Sequence, residues 1–288
     1  MTPQRVRFTL FRLQAHKPDA ADLYDQNLAP RDIIQSAINE KPDCVHRGVK
    51  WQLRNVVVGT DSNPDAIFFA VGKPSEKDTP TTNESGDFCQ IAFEHAPHAY
   101  AIIDLGLQVV AIQQGGGLGS QATAVAQALR SLLQSTAVVR DNRVKIAIDA
   151  LLDPKEFIDA ILGSAALTQL TVTFTLPNIF DRDDFQEDVQ QATRLIGADK
   201  GIVTFKGEDL DKDEAVSLIR AGSSIGKRCL AMIRRKTGER PRKVQVSNNP
   251  VDLTVPVRDL TDPSQRVQLT DVVMSEIKDA YDNVRHSD

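Results

Sequence analysis

From Arg5 to Leu13 the chain alternates basic and apolar residues, Arg5 and Arg7 against Val6, Phe8 and Leu10. A period of two predicts a strand with one solvated face. A short helix is predicted from Asp32 to Glu40, followed by strands at Val49 to Val58, Ala66 to Val71, Phe88 to Phe93, Tyr100 to Ile103 and Gln108 to Gln113. Their close spacing predicts an antiparallel sheet. Between them, Lys73 to Asp87 (KPSEKDTPTTNESGD) is polar with two prolines and a glycine, the composition of a loop. After the glycine run Gly115 to Gly119, Ala124, Ala128 and Leu132 recur at every fourth position of Ser120 to Gln134. That is a helical stripe, with Ser120 placed to cap it.

From Val144 the pattern changes. Strand-like KIAIDAL, LTVTFTL and GIVTF alternate with helix-like PKEFIDAIL, DDFQEDVQQATRLI and DKDEAVSLIRAG. This succession predicts an α/β layer of the split βαβ type. RCLAMIRR, RKVQVS and DLTVPV then read as strands joined by the short turns KTGERP and NNP, and Asp271 to Val284 closes the chain as a helix. The predicted class is therefore α+β: a mainly antiparallel β-rich frame built from 1–139 and 224–288, with a central α/β domain, 140–223, inserted into it or swivelling on it. The Gly-Ser segment from Ala221 to Gly226 is the expected hinge.

The length of 288 residues suits one large domain or two smaller ones. With 41% hydrophobic and 25% charged residues the composition is that of an ordinary folded chain, which excludes wholesale disorder and fibrous repeats. Cys44, Cys89 and Cys229 are odd in number and widely spread, which argues against a disulfide framework and suits a reducing cytosol. No apolar run approaches the ~18 residues of a membrane span, and the first residues lack the apolar core of a secretion signal, so a cytoplasmic protein is expected.

Charge is unevenly placed. Lys227, Arg228, Arg234, Arg235, Lys236, Arg240, Arg242 and Lys243 stand against one acid, Glu239, giving this segment a formal charge of +7 within a chain of −5. A phosphate backbone responds to the local field, so an acidic chain can still bind a polyanion there. The turn at Gly238 would bring these cations towards the tip of one hairpin, making all eight candidate DNA contacts through phosphates.

Other motifs carry less. Backbone NH groups at the glycine run before a helix could cradle a phosphate, but GGGLGS lacks the Lys-Ser/Thr ending of a P-loop and the ribose acid of a dinucleotide fold. Cys89, Glu94, His95 and His98 offer metal ligands in no standard spacing. Asp181, Asp183 and Asp184, and the acids from Glu208 to Glu214, could hold Mg²⁺ for nuclease chemistry, yet both groups precede helical patterns, where acids cap NH groups. No serine stands in a GxSxG nucleophile elbow. Trp51, alone in its strand, is expected in the core. The sequence thus names no catalytic residue, metal or cofactor.

The C-terminal third carries a family resemblance. The turn KTGERP between two strands, then VDLTVPV, then the threonine-led helix TDVVMSEIKDAY resembles the end of the RexA-like phage exclusion proteins, and Leu176-Pro177 after an alternating strand fits the same pattern. Proteins of that broad group, including the B subunit of the Kiwa anti-phage system, are linked to phage exclusion. The resemblance implies a homodimer with a basic surface that contacts duplex DNA without sequence specificity, and it supplies no catalytic residues; a second defence subunit is a further expected partner. The expected function is a sequence-nonspecific DNA-binding sensor or effector of phage exclusion or defence. A metal-dependent nuclease, a nucleotide-binding enzyme and a protein-interaction subunit are the alternatives.

Overall fold

The computed structural model describes residues 4–16, 28–82, 85, 88–115, 117–118, 121–175, 200–224, 229–246, 250–257 and 262–286. Every strand pairing among them is antiparallel, and the class is α+β with a large share of strand.

The first sheet has eight strands: β1 (Gln4–His16), β2 (Asp43–His46), β3 (Val49–Val58), β4 (Ala66–Gly72), β7 (His98–Asp104), β8 (Val109–Gln113), β9 (Lys145–Ala150) and β14 (Asp252–Val257). Its order is β14-β1-β8-β7-β4-β3-β2, with β9 also paired to β1. β14 pairs with Gln4 to Thr9 of β1 and β9 with Phe11 to His16, so the two strands follow one another along the same edge of β1. Helices cover both faces. On one lie α1 (Pro30–Asn39), α2 (Ala122–Gln134) and α3 (Ala137–Asp141), burying Ile33, Ile38, Leu129 and Leu133 against Phe11, Leu53, Phe69 and Ile112. On the other lies α6 (Pro263–His286), whose Val273, Met274 and Ile277 meet Phe8, Phe68 and Ile102.

Double coverage corrects the expectation for β1. Arg5 and Arg7 face solvent, but Phe8 to Ala15 are all buried. Even Arg12 is enclosed, its guanidinium donating to the Leu107 carbonyl and lying 5.3 Å from the Tyr281 ring centroid. Part of the expected loop is also regular: β5 (Ser75–Thr82) pairs with β6 (Phe88–His95) as a two-stranded ribbon. A proline is tolerated there because such a ribbon leaves each strand an unpaired edge.

The second sheet holds β10 (Ala166–Thr175), β11 (Lys200–Lys206), β12 (Cys229–Arg234) and β13 (Arg242–Gln245), in the order β11-β10-β12-β13. Both β11 and β12 are antiparallel to β10 between them, so they are parallel to each other and are joined through α5 (Lys212–Ser224). That is the split βαβ arrangement. α5 and α4 (Lys155–Leu162) bury Phe157, Ile161 and Ile219 against Leu170, Val172, Ala231 and Ile233 on one face.

Three expectations shift. Lys145 to Ala150, read with the α/β segment, belongs to the first sheet, whereas the hairpin of β12 and β13, read with the frame, belongs to the second. Non-local pairing decides both, and it leaves no local pattern. Of the segment read as a hinge, Ala221 to Ser224 form the last turn of α5, where Gly222, Ser223 and Ser224 are buried and a Cβ on Gly222 would stand 3.0 Å from the Cys229 sulfur, while residues 225 and 226 lie outside the described residues. Finally, α2 begins at Ala122 with Gln121 in the cap position, while Ser120 lies outside the described residues.

Candidate nucleic-acid interface

The hairpin forms as its sequence predicts. β12 alternates because α4 and α5 cover one face: Cys229, Ala231 and Ile233 are buried, while Leu230, Met232 and Arg234 point the other way and are half-buried. β13 pairs with β12 as Met232↔Lys243 and Ile233↔Arg242. Residues directly opposite one another share a face. Lys243 therefore stands with Met232 and Arg234 on the outer face, while Arg242 stands on the helix-covered side at the sheet edge and remains exposed. Arg235, Lys236 and Arg240 are exposed in the connecting turn, where Gly238 takes a φ of +84°. Glu239 is half-buried beside them, its backbone NH donating to the Lys236 carbonyl. Lys227 and Arg228 lie outside the described residues. The hairpin thus gathers its turn cations with Arg234 and Lys243 but turns Arg242 aside.

The charged side chains of Arg234, Arg235, Lys236, Arg240, Arg242 and Lys243 make no ion pair or hydrogen bond among the described residues. Cations elsewhere do: Arg7 pairs with Asp252 at 3.2 Å, Arg31 with Asp65 at 2.5 Å and Arg54 with Asp43 at 2.5 Å.

Sequence reasoning missed one cation of this surface. Lys206 of β11 pairs with Gln169, Gln169 with Met232 and Met232 with Lys243, a continuous row across all four strands. Lys206 is isolated in sequence from the basic cluster. A strand register across β10 places it on the same face, a relation no local pattern records.

The remaining candidates resolve differently. Asp211 accepts the backbone NH groups of Asp213 and Glu214 at 2.9 and 3.0 Å, the capping geometry of a helix start, and Asp209 accepts from the Leu167 NH at 3.0 Å. Asp181, Asp183 and Asp184 lie outside the described residues. His98 Nδ1 is 3.0 Å from the Ala96 carbonyl and its ring stacks edge-on with Tyr100 at 5.0 Å; no group of three potential metal ligands occurs among the described residues. Gly115 and Gly117 have positive φ, and the Leu118 NH closes a turn onto the Gly115 carbonyl at 3.0 Å. Trp51 is buried as expected.

Two further features bear on chemistry. Ser131 Oγ stands 2.8 Å from His46 Nδ1 beside Cys44, a serine–histidine pair that chain separation hid. Among the described residues no carboxylate orients that ring, and the hydroxyl also reaches back to the Gln127 carbonyl at 3.2 Å, an ordinary bond within a helix. A cavity of about 620 Å³ between α4, α5 and α6 is lined by Asp153, Asp159, Asp252, Glu276 and Asp279, which outnumber Lys155 and Arg220. A lining richer in acids than in bases disfavours phosphate there.

No family model matches the chain, and no curated protein matches it in sequence. Among the described residues no helix is long and apolar enough to cross a membrane.

Proposed function

We propose that the protein binds duplex DNA through its phosphates, without reading base sequence, and that the basic hairpin supplies the principal contacts. The unpaired state of the hairpin cations carries this reading. Six basic side chains of one hairpin, without an ion pair among the described residues, leave their charge open to an external polyanion, and displacing counterions from DNA supplies the binding free energy. Arginine suits the task because its planar fork can give a phosphate two parallel hydrogen bonds. Action as a sensor or effector in phage exclusion or defence, as a homodimer and beside a second subunit, rests on the resemblance of the C-terminal third.

Fluorescence anisotropy on two duplexes of unrelated sequence, over a series of salt concentrations, tests the proposal. Both should bind with similar affinity, and log affinity should fall linearly with log salt by about 0.9 for each phosphate neutralised. Strong discrimination between the duplexes contradicts phosphate-only contact. Indifference to both overturns DNA binding and favours an acidic protein partner for the same hairpin.

A further inference from the structure

We propose that the DNA backbone lies across the outer face of the second sheet, with the hairpin turn holding one end of the contact. This rests on the DNA-binding reading and extends it from the hairpin to a surface that includes β10 and β11.

The helices α4 and α5 occupy one face of the sheet, where the buried residues collect. The other face is built by register. Beside the row that joins Lys206 to Lys243 runs a second, Thr204–Thr171–Leu230–Gln245, followed by Ile202 opposite Thr173. No position in these rows is acidic, although acids outnumber bases in the chain by five. The two lysines stand on the two outer strands. Three strand spacings of ~4.8 Å separate their backbones by about 14 Å. Flexible lysine stems at that distance can reach phosphates on both sides of a groove ~6 to 12 Å wide.

The middle of the face suits a phosphate backbone too. Thr171 Oγ1 and Thr204 Oγ1 are 3.1 Å apart, and the Gln169 amide reaches Thr171 Oγ1 at 3.3 Å. Hydroxyl and amide donors of this kind make the neutral share of DNA backbone contacts. With Thr204, Lys206, Lys243 and Gln245 exposed and the central side chains half-buried, the face presents edge charges around a middle in which Gln169, Thr171 and Thr173 stand beside Leu230 and Met232. That charge complementarity selects a polyanion as the occupant.

The experiment measures duplex affinity and salt slope for the full chain and four variants. Lys206→Glu should weaken binding by about threefold or more and reduce the salt slope by about one. Ile202→Lys adds a cation at an exposed position of the same face, 64% accessible, and should strengthen binding by about threefold. A gain cannot come from misfolding. Lys155→Glu, at the acidic cavity, controls for net charge and should stay within about twofold of the parent. Arg235→Glu with Arg240→Glu reports on the hairpin. If Lys206→Glu and Ile202→Lys both behave like Lys155→Glu while the hairpin variant loses affinity, the sheet face is not the contact surface and the DNA reading stands. If the unmodified chain ignores DNA, the reading fails and the inference with it.

Discussion

The two sheets are built from similar strands and differ in how many faces are covered. In the first, helices lie on both sides, so β4 (AIFFAVG) is buried from Ala66 to Val71 and its residues read as one apolar run. In the second, the described helices lie on one side, so β12 (CLAMIR) alternates buried and half-buried positions. Coverage on both faces commits nearly every side chain to packing. Coverage on one face leaves every second side chain outside the helix-packed core, and in this molecule the paired positions of that face carry lysine, arginine, threonine and glutamine beside Ile202, Leu230 and Met232, without an acid. The proposed binding thus falls on the second sheet, on the face opposite its described helices.

The contrast between the sheets is sharpest at the core. Phe69, fully buried in β4, should cost about 3 to 5 kcal/mol on substitution by alanine, measured as a shift in the urea midpoint. A loss below about 1 kcal/mol would show that the doubly covered sheet is not tightly packed. The next effect is at the junction of α5 with the second sheet. In Gly222→Val, a Cβ would lie 3.0 Å from the Cys229 sulfur and 3.4 Å from Val172 Cγ1, and overpacking should destabilise the protein by about 1 to 3 kcal/mol. An unchanged urea midpoint would mean that this helix shifts freely on its sheet.

Cys229 supplies a pH test of the same packing. Burial pushes its thiol up to about 12 from an ordinary value of 9.0. The folded state therefore holds this proton more tightly than the unfolded state, so the contribution to stability is complete below about pH 9 and is lost as pH rises towards 12. Urea midpoints across that window should fall less steeply for Cys229→Ala than for the parent. Parallel slopes would contradict a thiol held neutral in the core. The smallest effect belongs to the open face, where Ile202→Ser should change stability by about 0.5 kcal/mol or less. A larger loss would mean that this face is packed after all.

Legibility in the sequence followed the same division. β3 and β14 have the predicted bounds, and the β12–β13 hairpin was evident from alternation and the Lys-Thr-Gly turn. The burial of Arg12 and the true sheet of the hairpin were not legible, because both depend on which distant strand or helix arrives as neighbour. β5 was hidden by its polar, proline-containing composition, since a two-stranded ribbon needs little apolar patterning. The closing helix starts at Pro263, before the predicted Asp271, where Asp262 accepts the Ser264 NH at 2.9 Å. An acid before a proline at the helix start is a readable signal, but one that apolar periodicity does not carry. For the interface, the turn cations were legible as a cluster, whereas Lys206 became part of it through register alone.

The most direct test of phosphate binding by the hairpin is the salt dependence of DNA affinity in Arg235→Glu/Arg240→Glu. Both side chains are exposed in the turn, so circular dichroism and the urea midpoint should match the unmodified protein. Two attractions become two repulsions. Affinity should fall by at least about tenfold, equivalent to about 1.4 kcal/mol, and the salt slope should shrink by about one for each phosphate no longer neutralised. A folded double variant that binds DNA with unchanged affinity and unchanged slope would contradict the account.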